Sequence, residues 1–430
     1  MRDQIAKAYL CLLLIVLPMD WFGPTGELFR EAGAKPAIPL MMLASLVIFG
    51  DKYKSLVTSF SNSSWLVCCR FFGIFACGVF AFTLNLIFGW SQFGGTKNPS
   101  IQFVTQAGLF IITPLILVMH GELLRKEQWT AYILRLLPWV VSIHLLALSL
   151  DMTGMLAYNR LPLSMFRTGS ELVSMRISGL FSEPSYFGTM AAMYGIPLML
   201  IPSGNFRRGR QLLALLLFAA ALCTGGKTLI PVAICGFIGY FWYSKTRLLT
   251  PRNALIAIVL AAISIGVVAG RSALDVQENL SSAMRFGSTL TSINAAIAGY
   301  GVTGVGFGQF HFMYLKKFMP SFLLFSEEAI GQMASTAEHR ASTYNIFSRY
   351  LIEEGVLGLC LFIACLRDFY KLARNDRKIS SLLGVILVSA SLGFLLTQEP
   401  YCYPPLILGA ALIIGGHNQG LFSSIGKAAL

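Results

Sequence analysis

The sequence predicts an all-α protein that crosses a lipid bilayer many times, and three observations predict it. Hydrophobic residues fill 55% of the 430 positions and charged residues only 12%, with a mean hydropathy of +0.67. A typical soluble chain is about 25% charged, and none of this length has an interior large enough to hide so much apolar surface. The apolar residues fall in runs near the roughly 20 positions that a helix needs to cross a hydrocarbon core. The loops between those runs alternate between basic and nearly uncharged, as loops of membrane proteins do. Residues 1–430 read as a single membrane domain.

Taken in order, the runs mark about twelve spans, near 5–22, 36–50, 65–90, 101–119, 129–150, 186–202, 211–223, 228–243, 254–270, 345–366, 381–396 and 405–416. Residues 5–19 resemble the core of a signal peptide, but no small-x-small cleavage site follows, so they read as a retained first span. Arg70 lies near the cytoplasmic end of the third span, where its long stem can snorkel. His144, isolated in the fifth span, reads as a histidine satisfied by a neighbouring helix. Only Thr224-Gly-Gly-Lys227 separates 211–223 from 228–243, so this pair is either two short helices or one re-entrant hairpin. The tenth span carries Arg349, Glu353 and Glu354. Charges inside a span are costly and face a polar cavity or each other, and Arg349 and Glu353, four apart on one helix face, read as an internal ion pair.

Charge sets the topology. With the N-terminus in the cytoplasm, the basic clusters Lys52/Lys54, Arg125/Lys126, Arg207/Arg208/Arg210, Lys245/Arg247/Arg252 and Arg367 to Lys378 all lie inside, as do both termini. The opposite short loops hold only Arg30, Lys35, Lys97 and Lys227. The formal charge of +13 is therefore a positive-inside signature and does not mark a nucleic-acid surface. The nine cysteines sit mostly in apolar runs and make no metal-ligand spacing with histidine, so neither disulfides nor a metal is expected.

Two long segments fall on the outer side, 151–185 and 271–344. Segments of this length are functional or disordered. Within the second, Met284, Phe286, Leu290, Ile293 and Ile297 recur at roughly helical spacing, which predicts a partly helical cap.

Three places carry candidate chemistry. The first is Arg176-Ile-Ser-Gly-Leu-Phe-Ser-Glu-Pro-Ser185. Pro184 suits the first turn of a helix, and that helix end offers free N–H groups and partial positive charge to an anion. Arg176 adds a cation able to grip phosphate through two parallel hydrogen bonds, while Glu183 either orients it or takes a proton from an attacking hydroxyl. An Arg–Glu ion pair tying a loop to a helix end explains the same residues equally well. The second place is Gly299-Tyr-Gly-Val-Thr-Gly-Val-Gly-Phe-Gly-Gln-Phe310, with Arg271 and Arg285 before it. It lacks the strand–turn–helix context of a nucleotide fingerprint, so a tight turn packing backbone against a neighbour is the better account. The third is Glu338-His339-Arg340-Ala-Ser-Thr-Tyr344-Asn345, where His339 is either a base near neutral pH or a solvated loop histidine.

Together these places resemble the O-antigen polymerase and O-antigen ligase superfamily of bacterial envelope glycosyltransferases. The likeness rests on Arg176-x-x-Gly179-Leu-Phe-x-Glu183-Pro184-Ser185, on Gly304-Val-Gly-Phe-Gly-Gln-Phe310, and on Tyr344-Asn345-x-Phe-x-x-x-Leu-x-Glu-Glu-Gly355-x-x-Gly358, in that order. The resemblance implies a fold of the membrane glycosyltransferase C type in a bacterial inner membrane, with its active site on the periplasmic face. It implies a lipid-diphosphate-linked glycan donor, specifically an undecaprenyl-diphosphate oligosaccharide, and no metal, nucleotide sugar or other cofactor. Arg176 and Arg285, with Arg271 and Arg340, then correspond to diphosphate-binding cations. Glu183 and His339 are the candidate catalytic groups, supported by Pro184, Tyr344 and Asn345. Many members have His-Asn where this chain has Tyr344-Asn345, a departure that favours polymerase over ligase. A lipid-linked-oligosaccharide transporter is the expectation from another class; charges clustered at the outer mouth and not at mid-membrane argue against it. A chain-length regulator, a flippase and membrane lipids are the partners that the resemblance brings with it.

Overall fold

A computed structural model describes residues 3–20, 35–59, 62–90, 98–153, 179–181, 184–201, 207–224, 228–244, 280–313, 316–321, 343–376, 378–398 and 400–428. Among them the protein is all helical: α1 (Asp3–Val16), α2 (Ala37–Ser59), α3 (Asn62–Phe88), α4 (Pro99–Leu123), α5 (Glu127–Met152), α6 (Pro184–Leu200), α7 (Arg207–Cys223), α8 (Leu229–Ser244), α9 (Leu280–Ala295), α10 (Ile346–Glu353), α11 (Gly355–Asp376), α12 (Ile379–Leu395) and α13 (Pro404–Ala428). A π-helical turn, Ala296–Tyr300, continues α9. Every predicted span within the described residues is helical, ten of them as one helix each and 345–366 as two; 254–270 lies outside the described residues. Among the described residues three helices, Trp65–Phe88, Pro99–Leu123 and Glu127–Met152, are long and apolar enough to cross a membrane.

The core is built on α6 and α12, which are apolar all round and buried along nearly their whole length. The periphery is the reverse of a soluble surface. Phe72, Phe80, Ile87 and Trp139 stand more than half exposed, a face that suits lipid tails. Helices approach closely where side chains vanish. A Cβ on Gly384 of α12 would fall 2.6 Å from the Gly409 carbonyl oxygen of α13, and one on Gly409 would fall 2.9 Å from the Gly384 carbonyl oxygen. Lipid tails are as apolar as leucine and give helices no hydrophobic reason to pair, so such small-residue contacts and their dispersion energy hold the bundle.

The residues 211–223 and 228–243 form two separate helices, α7 and α8, and α8 reaches from the start of α6 to the start of α12. Thr228, at the start of α8, bonds the carbonyl of Ser185 at the start of α6. Tyr243, at the far end of α8, donates to the carbonyl of Lys378 at the start of α12 (2.8 Å).

The tenth predicted span differs from expectation: it is broken. α10 stops at Glu353 and α11 starts at Gly355, whose φ of 76° turns the chain out of the helix. The break frees the carbonyls of Ile352 and Glu353, and an unpaired carbonyl is costly where water is scarce. The Gly-rich loop after α9 pairs them, through the N–H of Val305 (3.0 Å) and of Gly306 (2.8 Å). Gly306 has φ 100°, and a Cβ there would lie 2.7 Å from the Cβ of Phe82, so only glycine lets this backbone in. The expected helix at 281–298 is present as α9 and its π turn, but the small polar residues Ser288, Thr291 and Ser292 face inward while Phe286 and Ile297 point out. An outward apolar face suits a helix that lies in a bilayer interface.

Gly384→Leu is expected to wedge α12 from α13 and to destabilise the protein by about 1–3 kcal/mol. Gly108→Leu, with open space around its Cβ position, should change little. Thermal unfolding of both variants in nanodiscs checks the contrast.

Candidate functional site

The described residues of all three candidate places meet at one end of the bundle. Asp151, in the last turn of α5, accepts the Gly179 N–H through Oδ2 (2.9 Å). Phe181, fully buried, stacks on His144 (5.3 Å, 28°) and meets Phe187 of α6 edge-on (5.9 Å). His144 is tied in turn to the Ile15 carbonyl through Nε2 (3.2 Å), a supporting role as expected. The Gly179–Phe181 turn is thus clamped against α5 just ahead of Pro184. At the first turn of α6 the Ser185 carbonyl takes hydrogen bonds from Thr189 (3.0 Å) and Thr228, which fix the direction of the helix axis there.

From that turn a chain of contacts leads to the other two places. Tyr186 lies 5.6 Å from Phe394 in the last turn of α12, and Phe394 stacks on Tyr403 (4.7 Å, 13°). Asn345 Nδ2 donates to the Leu396 carbonyl that follows α12 (3.2 Å). Asn345 also caps α10, its Oδ1 accepting from the N–H of Phe347 (2.9 Å) and Ser348 (3.3 Å). Tyr344 before it has φ 49°, the one left-handed non-glycine among the described residues, a conformation that costs about 1–3 kcal/mol. The Thr289 hydroxyl of α9 lies 3.0 Å from the Thr343 carbonyl, one turn from half-buried Arg285. Pro184, Tyr344, Asn345 and Arg285 therefore share one end of the bundle, joined through the C-terminus of α12.

That end holds a cation that was seen in the sequence only as a loop charge. Lys35 Nζ lies 5.3 Å from the Tyr403 ring centroid. Burial pushes its pKa down to about 8, with Cys402 and Asp20 pulling the other way.

One to two turns below Asn345 lies a buried polar cluster. Arg349 Nε bonds Glu353 Oε2 (3.1 Å), the expected ion pair, and its Nη2 reaches Gln106 Oε1 of α4 (3.4 Å). The guanidinium stacks over the Tyr401 ring, 3.9 Å from its centroid. Glu353 Oε2 also accepts the Gly308 N–H (2.8 Å) and the Tyr401 hydroxyl. That hydroxyl reaches Glu354 Oε1 as well, while Glu354 Oε2 has no hydrogen-bond partner. One hydroxyl hydrogen faces two carboxyl groups, so the arrangement is complete only with a proton on one of them. Glu353 already has three donors, so the proton belongs with Glu354. One Arg⁺ and one Glu⁻ then balance in a setting where a net charge is expensive.

Gln106 and Tyr401 had no sequence signal; each lies in another helix or loop and is ordinary in its own neighbourhood. Arg176, Glu183, Arg271, His339 and Arg340 lie outside the described residues. Among the described residues no group of His, Cys, Asp and Glu could hold a metal ion. Among the described residues, the fold and this end of the bundle define an all-helical protein with helices long and apolar enough to cross a membrane and a polar, partly cationic mouth. No protein-family model matches the chain, and no curated protein is significantly similar to it.

Glu353→Gln strands Arg349 without its buried counter-charge, with an expected cost of about 3–5 kcal/mol. Glu354→Gln keeps a neutral hydrogen-bonding group, and its cost should stay near 1 kcal/mol. Denaturation of the two variants in nanodiscs decides; equal losses would refute the assignment of the proton to Glu354.

Proposed function

We propose that this protein is a polysaccharide polymerase. It transfers a growing glycan from one undecaprenyl-diphosphate carrier to the non-reducing end of a repeat unit on another, at the outer face of a bacterial inner membrane. The observation that carries the reading is the gathering of the α6 N-terminus, half-buried Arg285 and Lys35 at one end of the bundle. Three sources of positive potential there suit an anion larger than one carboxylate. The ordered resemblance to O-antigen polymerases and ligases supports the choice of a lipid diphosphate as that anion.

In the proposed reaction an acceptor hydroxyl attacks the anomeric carbon of the donor sugar. The bond from that carbon to the diphosphate oxygen breaks, and its electron pair leaves with the diphosphate. Arg176 and Arg285, with Arg271 and Arg340, stabilise the departing charge, and the N–H groups of the α6 N-terminus assist. Donors fixed beforehand do this without reorganising. The hydroxyl proton passes to Glu183 or His339. Strained Tyr344 and capping Asn345 hold the start of α10 next to this mouth.

Chain-length analysis of surface polysaccharide tests the proposal, in a deletion strain carrying Arg176→Ala, Arg285→Ala or His339→Ala at normal protein level. Loss of long chains, with single repeat units still capped on lipid A-core, is the expected result. Polymer accumulating on its carrier with none on lipid A-core would instead identify a ligase. Normal chains from Arg176→Ala would remove the diphosphate role.

A further inference from the structure

A second site opens at the same end of the bundle, away from the α6 mouth. A cavity of about 400 Å³ is lined by Trp90, Ala298, Gly299, Tyr300, Lys317 and Phe318. Its size lies in the range of small-molecule sites. Trp90 follows α3, Tyr300 ends the π turn, and Lys317 and Phe318 belong to a 3₁₀ turn (Lys316–Phe318), so three separate segments form the walls.

Those walls are locked to one another. The Tyr300 ring meets Trp90 edge-on at 5.3 Å and 89°, and Phe318 at 5.9 Å and 79°. Asn294 of α9 donates to the Phe318 carbonyl (2.9 Å). The Trp90 N–H bonds the Asn85 carbonyl (3.2 Å), and Asn85 Nδ2 bonds the Val305 carbonyl (2.7 Å), which ties the tryptophan to the Gly-rich loop. Lys317 Nζ stands 4.6 Å from the Phe318 ring centroid and 5.5 Å from that of Tyr300. Among the described residues no carboxylate lies within salt-bridge distance of it.

We propose that this cavity binds a short acidic saccharide. A sugar ring offers a flat C–H face that packs on an aromatic ring and a rim of hydroxyls that stays in water; Trp and Tyr, with one apolar side and one polar edge, match both. Among the described lining residues Lys317 supplies the single charge, and it calls for a carboxylate on the sugar, as in a hexuronic acid. The geometry favours this over a lipid headgroup. Aromatic residues that anchor a protein in the bilayer interface project outward, whereas these three rings pack against each other around a hollow and Phe318 is buried. Only the choice of a saccharide rests on the proposed polymerase activity; in that setting the cavity holds the glycan portion of a substrate while the α6 mouth holds its diphosphate.

Equilibrium binding to full-length protein in nanodiscs tests this without turnover, using trigalacturonate, neutral maltotriose and glycerol 3-phosphate as probes. Saturable binding of trigalacturonate is expected, weakened at least about tenfold in Lys317→Met, as loss of a charged hydrogen bond implies. Trp90→Ala should weaken it too, and maltotriose should bind less tightly. The proposal falls if trigalacturonate does not bind, if Lys317→Met binds it as tightly, or if maltotriose matches it. Tighter binding of glycerol 3-phosphate would make the cavity a headgroup site and overturn the proposal as well. Normal polymer from Arg176→Ala, Arg285→Ala and His339→Ala alike, together with trigalacturonate binding, would remove the transferase reading and leave this site standing; the opposite pair of results would do the reverse.

Discussion

The break in the predicted tenth span is the constraint on which the rest of this end of the bundle depends. A helix interrupted inside a membrane exposes carbonyls that water cannot reach, and each must find a donor within the protein. Here the Gly304–Gly308 loop supplies those donors, to Ile352, to Glu353 and to the Glu353 carboxylate. The loop can do so only because its glycines bring backbone against α3 and against the break. α9 and the turn that continues it are held at the break by that plug.

The Arg349 cluster is the second half of the same solution. A break turns side chains of α10 towards α4 and the segment before α13, and Arg349, Gln106, Tyr401 and the two glutamates tie those elements together. Such a pair is weak evidence of net stability, because desolvation offsets most of the attraction. Its worth lies in geometry: each partner accepts few positions for the others. Phe307, fully buried between Phe110 and Tyr401 (5.1 and 5.3 Å), packs the apolar side of the same joint. Polar network and aromatic core thus fix one register between the Gly-rich loop and α10.

Periodicity and charge made the helices legible, because a bilayer imposes one length and one polarity on every span. The i,i+4 spacing of Arg349 and Glu353 made their pairing legible, and the glycines from 299 to 308 read correctly as a tight backbone contact. What stayed hidden depends on long-range contacts. Tyr401 lies 48 positions from Glu353, and Gln106 lies 243 from Arg349. Neither neighbourhood is unusual, so nothing local marks them. The break itself was hidden too, since Glu354-Gly355 sits inside an apolar run and one glycine is tolerated in a helix. For α9 the period was right, but an apolar stripe does not say whether it faces protein or lipid, and here Phe286 and Ile297 face outward.

The plug and the cluster bear on chemistry through rigidity. A mouth that stabilises a departing diphosphate acts in proportion to how little its donors move, since reorganisation subtracts from the gain. Helix ends and loops at a membrane surface are ordinarily the least ordered parts of a bundle. In this protein the start of α10 is capped by Asn345, whose amide is bonded to the end of α12, and one to two turns below Asn345 it is anchored by Arg349 and Glu353. The left-handed Tyr344 persists because both sides of it are held in this way; strain of that size needs surroundings that over-determine it. On the proposed function, the same restraint that keeps Tyr344 strained keeps Arg285, one turn from the bonded Thr343–Thr289 pair, at a fixed distance from the α6 N-terminus.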